Sequence, residues 1–211
     1  MTENGQAVDR SGYLEIRSRV ATTFHLDARF PDQVFTGGVR NPLFGDFADV
    51  ADPEFWPALS AMAQWHGDTR VGLLVLGPDL DECYLPYRGT FPAVSLSVDA
   101  DEDEYWAAIG WDDDNDDRRF VDSIAVSSRV VAVTGPSGKW GCWGERDPEI
   151  AVHHGFPDPT TRTEWRRRFG PFDEVAETLR FHLPVTFRGS TVPPEHARTL
   201  TANYGPEDDR G

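Results

Sequence analysis

Gly135-Pro136-Ser137-Gly138-Lys139 has the residue types that cradle a phosphate: glycines for close backbone approach, then a lysine to meet the charge. The spacing argues against that chemistry. A phosphate loop holds four residues between its glycines and follows the lysine with Ser or Thr, whose hydroxyl meets magnesium. Here two residues separate Gly135 from Gly138, and Trp140 follows Lys139. Such a loop also opens a helix whose first amides face the anion, whereas a Gly- and Trp-rich β segment comes next. A hairpin turn is expected, without nucleotide.

Other reactive residue types fail similar tests. Asp112 to Asp117 places five carboxylates and one Asn in six positions. A twelve-residue calcium loop needs Gly at its sixth position and Glu at its twelfth, to turn the chain and give a bidentate ligand. Counted from Asp112, those places hold Asp117 and Ser123. His153 and His154 are adjacent, so on a strand they point to opposite faces and cannot share one ion. No CxxC or HxxxH spacing occurs, and no metal or other cofactor is expected. Cys83 lies among acids, which raise a thiol pKa and blunt its nucleophilicity. No G-x-S-x-G elbow is present.

What remains is binding chemistry. Trp140 and Trp143, with Gly141 and Gly144 between and after them, could form a flat aromatic platform of the kind enriched at interfaces. The competing reading is core packing, with the glycines making room for large rings. The second candidate is Trp111 followed by Asp112, Asp113, Asp114, Asp116 and Asp117: an apolar anchor beside a charged rim. Its competing reading is a solvated loop that serves solubility. Arg162, Arg166, Arg167 and Arg168 form one basic cluster, with Trp165 and Phe169 anchoring that helix to the core.

The elements that must position these residues follow from periodicity. Leu14, Ile16 and Val20 alternate with charged residues and read as a strand, although Tyr13, Ile16, Val20 and Phe24 also fit a helical stripe. Asp52-Pro53-Glu54 starts a helix, carried by Phe55, Leu59 and Met62 and stopped at Gly67. Pro57 removes a backbone bond from its first turn. Val71 to Leu76 reads as a central strand and Ala93 to Val98 as a half-exposed one. Asp101 to Ile109 reads as a short helix. Arg129 to Val152 should form three consecutive antiparallel strands, turning at Gly135 to Gly138 and near Asp147-Pro148. Thr163 to Phe169 and Phe172 to Phe181 read as helices, and Leu183 to Phe187 as an edge strand. The expected architecture is α+β: a mainly antiparallel sheet with three or four helices on one face. Residues 1–11 and 205–211 read as flexible tails around a single domain, 12–204.

Bulk composition narrows the function classes. The 211 residues include seven Trp and thirteen Phe, too aromatic for a disordered chain. No leader and no membrane-spanning run is read, and two cysteines suit a reducing, cytoplasmic setting. The net charge is −16, and Asp99 to Asp117 holds ten acidic residues and no basic one. The rest of the chain carries 26 acidic and 20 basic residues, so most of the excess sits in one stretch. Such a field repels nucleic acid and anionic membranes and favours a basic protein partner.

The run Val131 to Arg146, through Gly135-Pro136-Ser137-Gly138-Lys139-Trp140-Gly141-Cys142-Trp143-Gly144, resembles segments of small, acidic, Trp-rich bacterial proteins of uncharacterised function, some of toxin-immunity type. The resemblance covers about a tenth of the chain and transfers no residue roles. It implies an intracellular bacterial binding protein. Together with the concentrated acidity, the aromatic content and the failed catalytic motifs, the expectation is a non-enzymatic binding protein of immunity or inhibitor type that docks a basic protein. The alternatives are a hydrolase or metal-dependent enzyme with a site assembled from distant residues, and a structural protein with no partner face.

Overall fold

A computed structural model describes residues 8–80, 84–85, 91–110, 123–187 and 191–206. Six strands, β1 (Leu43–Asp46), β2 (Arg70–Gly77), β3 (Ala93–Ser97), β4 (Val130–Thr134), β5 (Gly141–Glu145) and β6 (Ile150–His154), form one sheet of order β1-β6-β5-β4-β2-β3. Every neighbouring pair is antiparallel. The predicted meander is present: β4, β5 and β6 pair in sequence, with Ala132 opposite Trp143 and Trp143 opposite Val152. Its first turn is Gly135 to Gly138, and Gly138 at φ +63° takes the left-handed backbone that glycine adopts without steric cost.

Period-two alternation sends successive side chains to two separate cores. One face buries Val71, Leu73, Val75, Val131, Val133 and Cys142. It is covered by α2 (Phe47–Val50), a 3-10 turn (Pro53–Phe55), α3 (Trp56–Trp65), α4 (Glu102–Gly110), α5 (Ile124–Ser127) and α6 (Pro159–Phe169). The other face buries Leu74, Val130, Ala132, Trp143, Ile150 and Val152. Helices cover it too: α1 (Arg10–Thr23), and beyond Phe172 the short α7 (Val175–Glu177), a π turn (Thr178–His182), α8 (Leu183–Thr186) and α9 (Pro194–Tyr204). The α+β class and the antiparallel sheet are as expected, and the helical cover extends to the second face. No helix among the described residues is long and apolar enough to cross a membrane.

Several local expectations are corrected. Tyr13 to Val20 is helical within α1: Tyr13, Ile16 and Val20 are buried while Leu14 is 53% exposed, so the helical stripe prevails over the alternation. Asp9 caps this helix, which starts at Arg10, by accepting from Gly12 N at 2.8 Å. Gly205 is buried, its N–H closing α9 on Thr201 O at 2.8 Å. Leu183 to Phe187 is no edge strand; Leu183 to Thr186 is α8, with Pro184 tolerated in its first turn. The irregular start expected at Pro53 to Pro57 is the 3-10 turn that runs into α3.

Candidate binding groove

Trp140 and Trp143 do not make a platform. They are 1% and 0% exposed and belong to opposite cores. Each indole is tied to a buried carboxylate. Trp140 Nε1 donates to Asp68 at 2.8 Å, and Trp143 Nε1 donates to Glu145 at 2.8 Å. The intervening glycines make the room that core packing needs: a Cβ on Gly141 would meet the Phe24 ring, and one on Gly144 the Phe47 ring.

The phosphate-loop lookalike is a turn held by the same carboxylate. Asp68 accepts from Ser137 N at 2.7 Å and Ser137 Oγ at 2.8 Å, besides Trp140. A Cβ on Gly135 would collide with Asp68 itself. The short turn therefore presents its Ser amide and hydroxyl to an internal anion, and those donors are spent. The buried Glu145 accepts from Phe30 N at 2.9 Å as well as Trp143, while burial raises its pKa. His153 and His154 face opposite cores as expected. His153 sits among Phe55, Trp165 and Phe172, and His154 lies edge-on to Phe35. Burial lowers their pKa values to about 3 and about 4. Burial pushes the Cys142 thiol far up, which keeps it protonated and unreactive. Among the described residues no group of three or more His, Cys, Asp or Glu could hold a metal ion. Cys83 and the candidates Trp111, Asp112, Asp113, Asp114, Asp116 and Asp117 lie outside the described residues.

The first part of the acidic stretch is described, and it borders a groove. Asp101 and Glu104 start α4 with a reciprocal cap: Glu104 N donates to Asp101 at 2.8 Å, and Asp101 N to Glu104 at 3.1 Å. Three acids in the first turn also suit the positive end of the helix. This start is pinned to α3. Trp56 Nε1 donates to Ala100 O at 2.6 Å, Ser60 Oγ to Val98 O at 2.8 Å, and Trp56 stacks on Tyr105 at 5.0 Å. Tyr105 Oη donates in turn to Val50 O.

Between these elements lies an open groove of about 470 Å3. Its floor is Trp56, Pro57, Ser60, Ala61 and Gln64; one lip is Ala100 to Asp103; Arg168 of α6 also lines it. Asp101, Glu102 and Asp103 are exposed. The groove thus offers carboxylates on a fixed backbone above a partly apolar floor. The floor was missed from sequence, although Trp56, Ser60 and Gln64 recur at helical spacing beside the apolar stripe of α3. Two of the four arginines of the basic cluster are paired within the molecule: Arg162 meets Glu174 at 3.0 Å and Arg166 meets Glu177 at 2.9 Å.

Comparison of the chain with protein-family models, curated protein sequences and solved structures finds no match.

Proposed function

We propose that this protein is a non-enzymatic binding protein of inhibitor or immunity type, and that it docks a basic protein partner at the acidic start of α4. One observation carries the reading: three exposed carboxylates stand on a capped helix start that is hydrogen-bonded to α3, along a groove with a partly apolar floor. Charged groups held in place meet a partner with little ordering cost, and the concave floor offers an apolar contact inside a charged rim. In sequence, Trp111 and the Asp112 to Asp117 run directly follow α4 and add to the negative charge of the chain. An acidic field of this kind acts on association rate and salt dependence more than on final affinity.

The test begins with a basic partner recovered by cross-linking to the tagged full chain in cells. Its affinity is then measured against wild type and a variant carrying Asp101→Asn, Glu102→Gln and Asp103→Asn. The variant should bind about tenfold or more weakly and show a shallower salt dependence. A partner bound equally well by both, with equal response to salt, would remove the reading.

A further inference from the structure

A second concave site lies at the other end of the sheet. The lip of the groove follows Ser97, which pairs with Arg70 at the start of β2. The β5–β6 turn follows Glu145, which pairs with Val130 opposite Gly77, where β2 ends. Beside that turn is an open cavity of about 540 Å3, whose lining includes Phe30, Arg146, Asp147, Glu149, Phe187 and His196. The volume is in the range of small-molecule sites.

We propose that this cavity binds an organic ammonium group, with Asp147 and Glu149 as its counter-charges and the Phe30 and Phe187 rings as its apolar walls. Both carboxylates are exposed, and neither is in a salt bridge among the described residues. Both walls are fixed. Phe30 is held by its N–H bond to Glu145 and by edge contact with Tyr204 at 5.8 Å; Phe187 stands edge-on to His196 at 5.2 Å. Aromatic rings beside carboxylates are the surroundings that favour an alkylammonium over a neutral molecule of the same shape.

Among the described residues, the nearby basic side chains are engaged elsewhere or held towards the neutral form. The Arg146 guanidinium is drawn to the other side of the sheet: Nε donates to Ser128 O at 2.7 Å, a terminal nitrogen to Ala125 O at 3.0 Å, and the group lies over Phe47 at 4.8 Å. Partial burial lowers the His196 pKa, which favours the neutral ring. The His182 ring is engaged with Glu149 O at 2.9 Å and also steadies the turn. The site stands apart from the acidic groove and does not depend on the function proposed there.

Isotope-labelled full chain is titrated with n-butylammonium, with a short peptide whose only charge is one lysine side chain, and with neutral 1-butanol, and amide resonances are followed. The ammonium probes should give saturable shifts at residues 147, 149, 187 and 196, and butanol none. Asp147→Asn with Glu149→Gln should weaken ammonium binding about tenfold, and Phe187→Leu about threefold. Both substituted carboxylates are exposed, so these variants retain the fold, which circular dichroism checks. The Asp101→Asn, Glu102→Gln, Asp103→Asn variant should bind the amine as wild type does. Tighter binding of the peptide would assign the site to a partner's lysine, and tighter binding of the free amine to a small-molecule ligand; either upholds it. No saturable shift with either ammonium probe, equal shifts with butanol, or no effect of the double carboxylate variant would overturn it.

Discussion

At the scale of the residue, several polar groups are buried in this fold with hydrogen-bond partners. Asp68 is 7% exposed and accepts three hydrogen bonds, two from Ser137 and one from Trp140. A carboxylate in that position contributes through charge-assisted bonds, and its loss leaves buried donors unmet. Asp68→Ala should therefore lower the unfolding free energy by about 3 kcal/mol, read from urea unfolding. Gly135→Ala should also destabilise, because its Cβ and the Asp68 carboxylate compete for one space. The histidines set a pH dependence. His153 and His154 have folded pKa values of about 3 and about 4, lowered by burial from 6.5. The unfolded chain therefore binds protons that the folded chain refuses between those limits. Their contribution is fully present above pH 6.5 and is lost as pH falls towards 4 and 3. Glu145, with its pKa raised by burial, works in the opposite direction as pH rises through its folded value. A variant isolates the histidine part: His153→Phe, in a site already walled by Phe55, Trp165 and Phe172, should show a shallower loss of urea midpoint between pH 7 and pH 4 than wild type.

At the scale of the element, caps and turns decide where helices begin. Asp9→Ala removes the cap of α1 and should cost about 1 kcal/mol, with α1 amides losing hydrogen-exchange protection first. The meander behaves differently, because its register is fixed from both faces. Trp143 packs with Phe24 at 5.5 Å on one side, and Cys142 lies in the opposite core. A one-residue slip of β5 would exchange those faces and bring Gly141 and Gly144 to positions that need large side chains. Iodoacetamide should therefore modify Cys142 only as fast as the sheet opens, measured by mass spectrometry of its peptide alongside global unfolding. Labelling at the rate of a model thiol would contradict a core position for β5.

At the scale of the molecule, charge and core act against each other. A net charge of −16 on 211 residues repels itself in the compact state. Two cores on one sheet supply the burial that holds the fold against that repulsion, and Trp140, Trp143 and Trp165 are among their largest fully buried side chains. Raising salt from low to physiological strength should accordingly raise the urea midpoint at pH 7, as screening removes repulsion between exposed carboxylates. A flat salt response would mean that exposed pairs such as Arg162–Glu174 and Arg166–Glu177 already balance the field locally.

The sequence by itself determined the local elements whose signals agree with one another. In Arg129 to Val152, β-forming residues, turn residues and spacing all indicate the same hairpins, and those hairpins form. The helix starts at Asp52 and Asp101 were legible for the same reason, since a cap binds amides only two or three positions away. Where two periodicities coexist, as in Tyr13 to Val20, burial against β2 and β4 chose the helix, and no local term could choose it. Tertiary structure alone decided the roles of Asp68, Glu145, Trp140 and Trp143. For the two indoles the sequence left a platform and core packing both open, and a carboxylate reads as surface until a partner distant in the chain, 72 positions away for Asp68 and Trp140, removes it from water. The groove has the same origin. Its lip was visible as a run of acids, while its floor exists only because Trp56 and Ser60 reach the backbone of Val98 to Ala100 from another element.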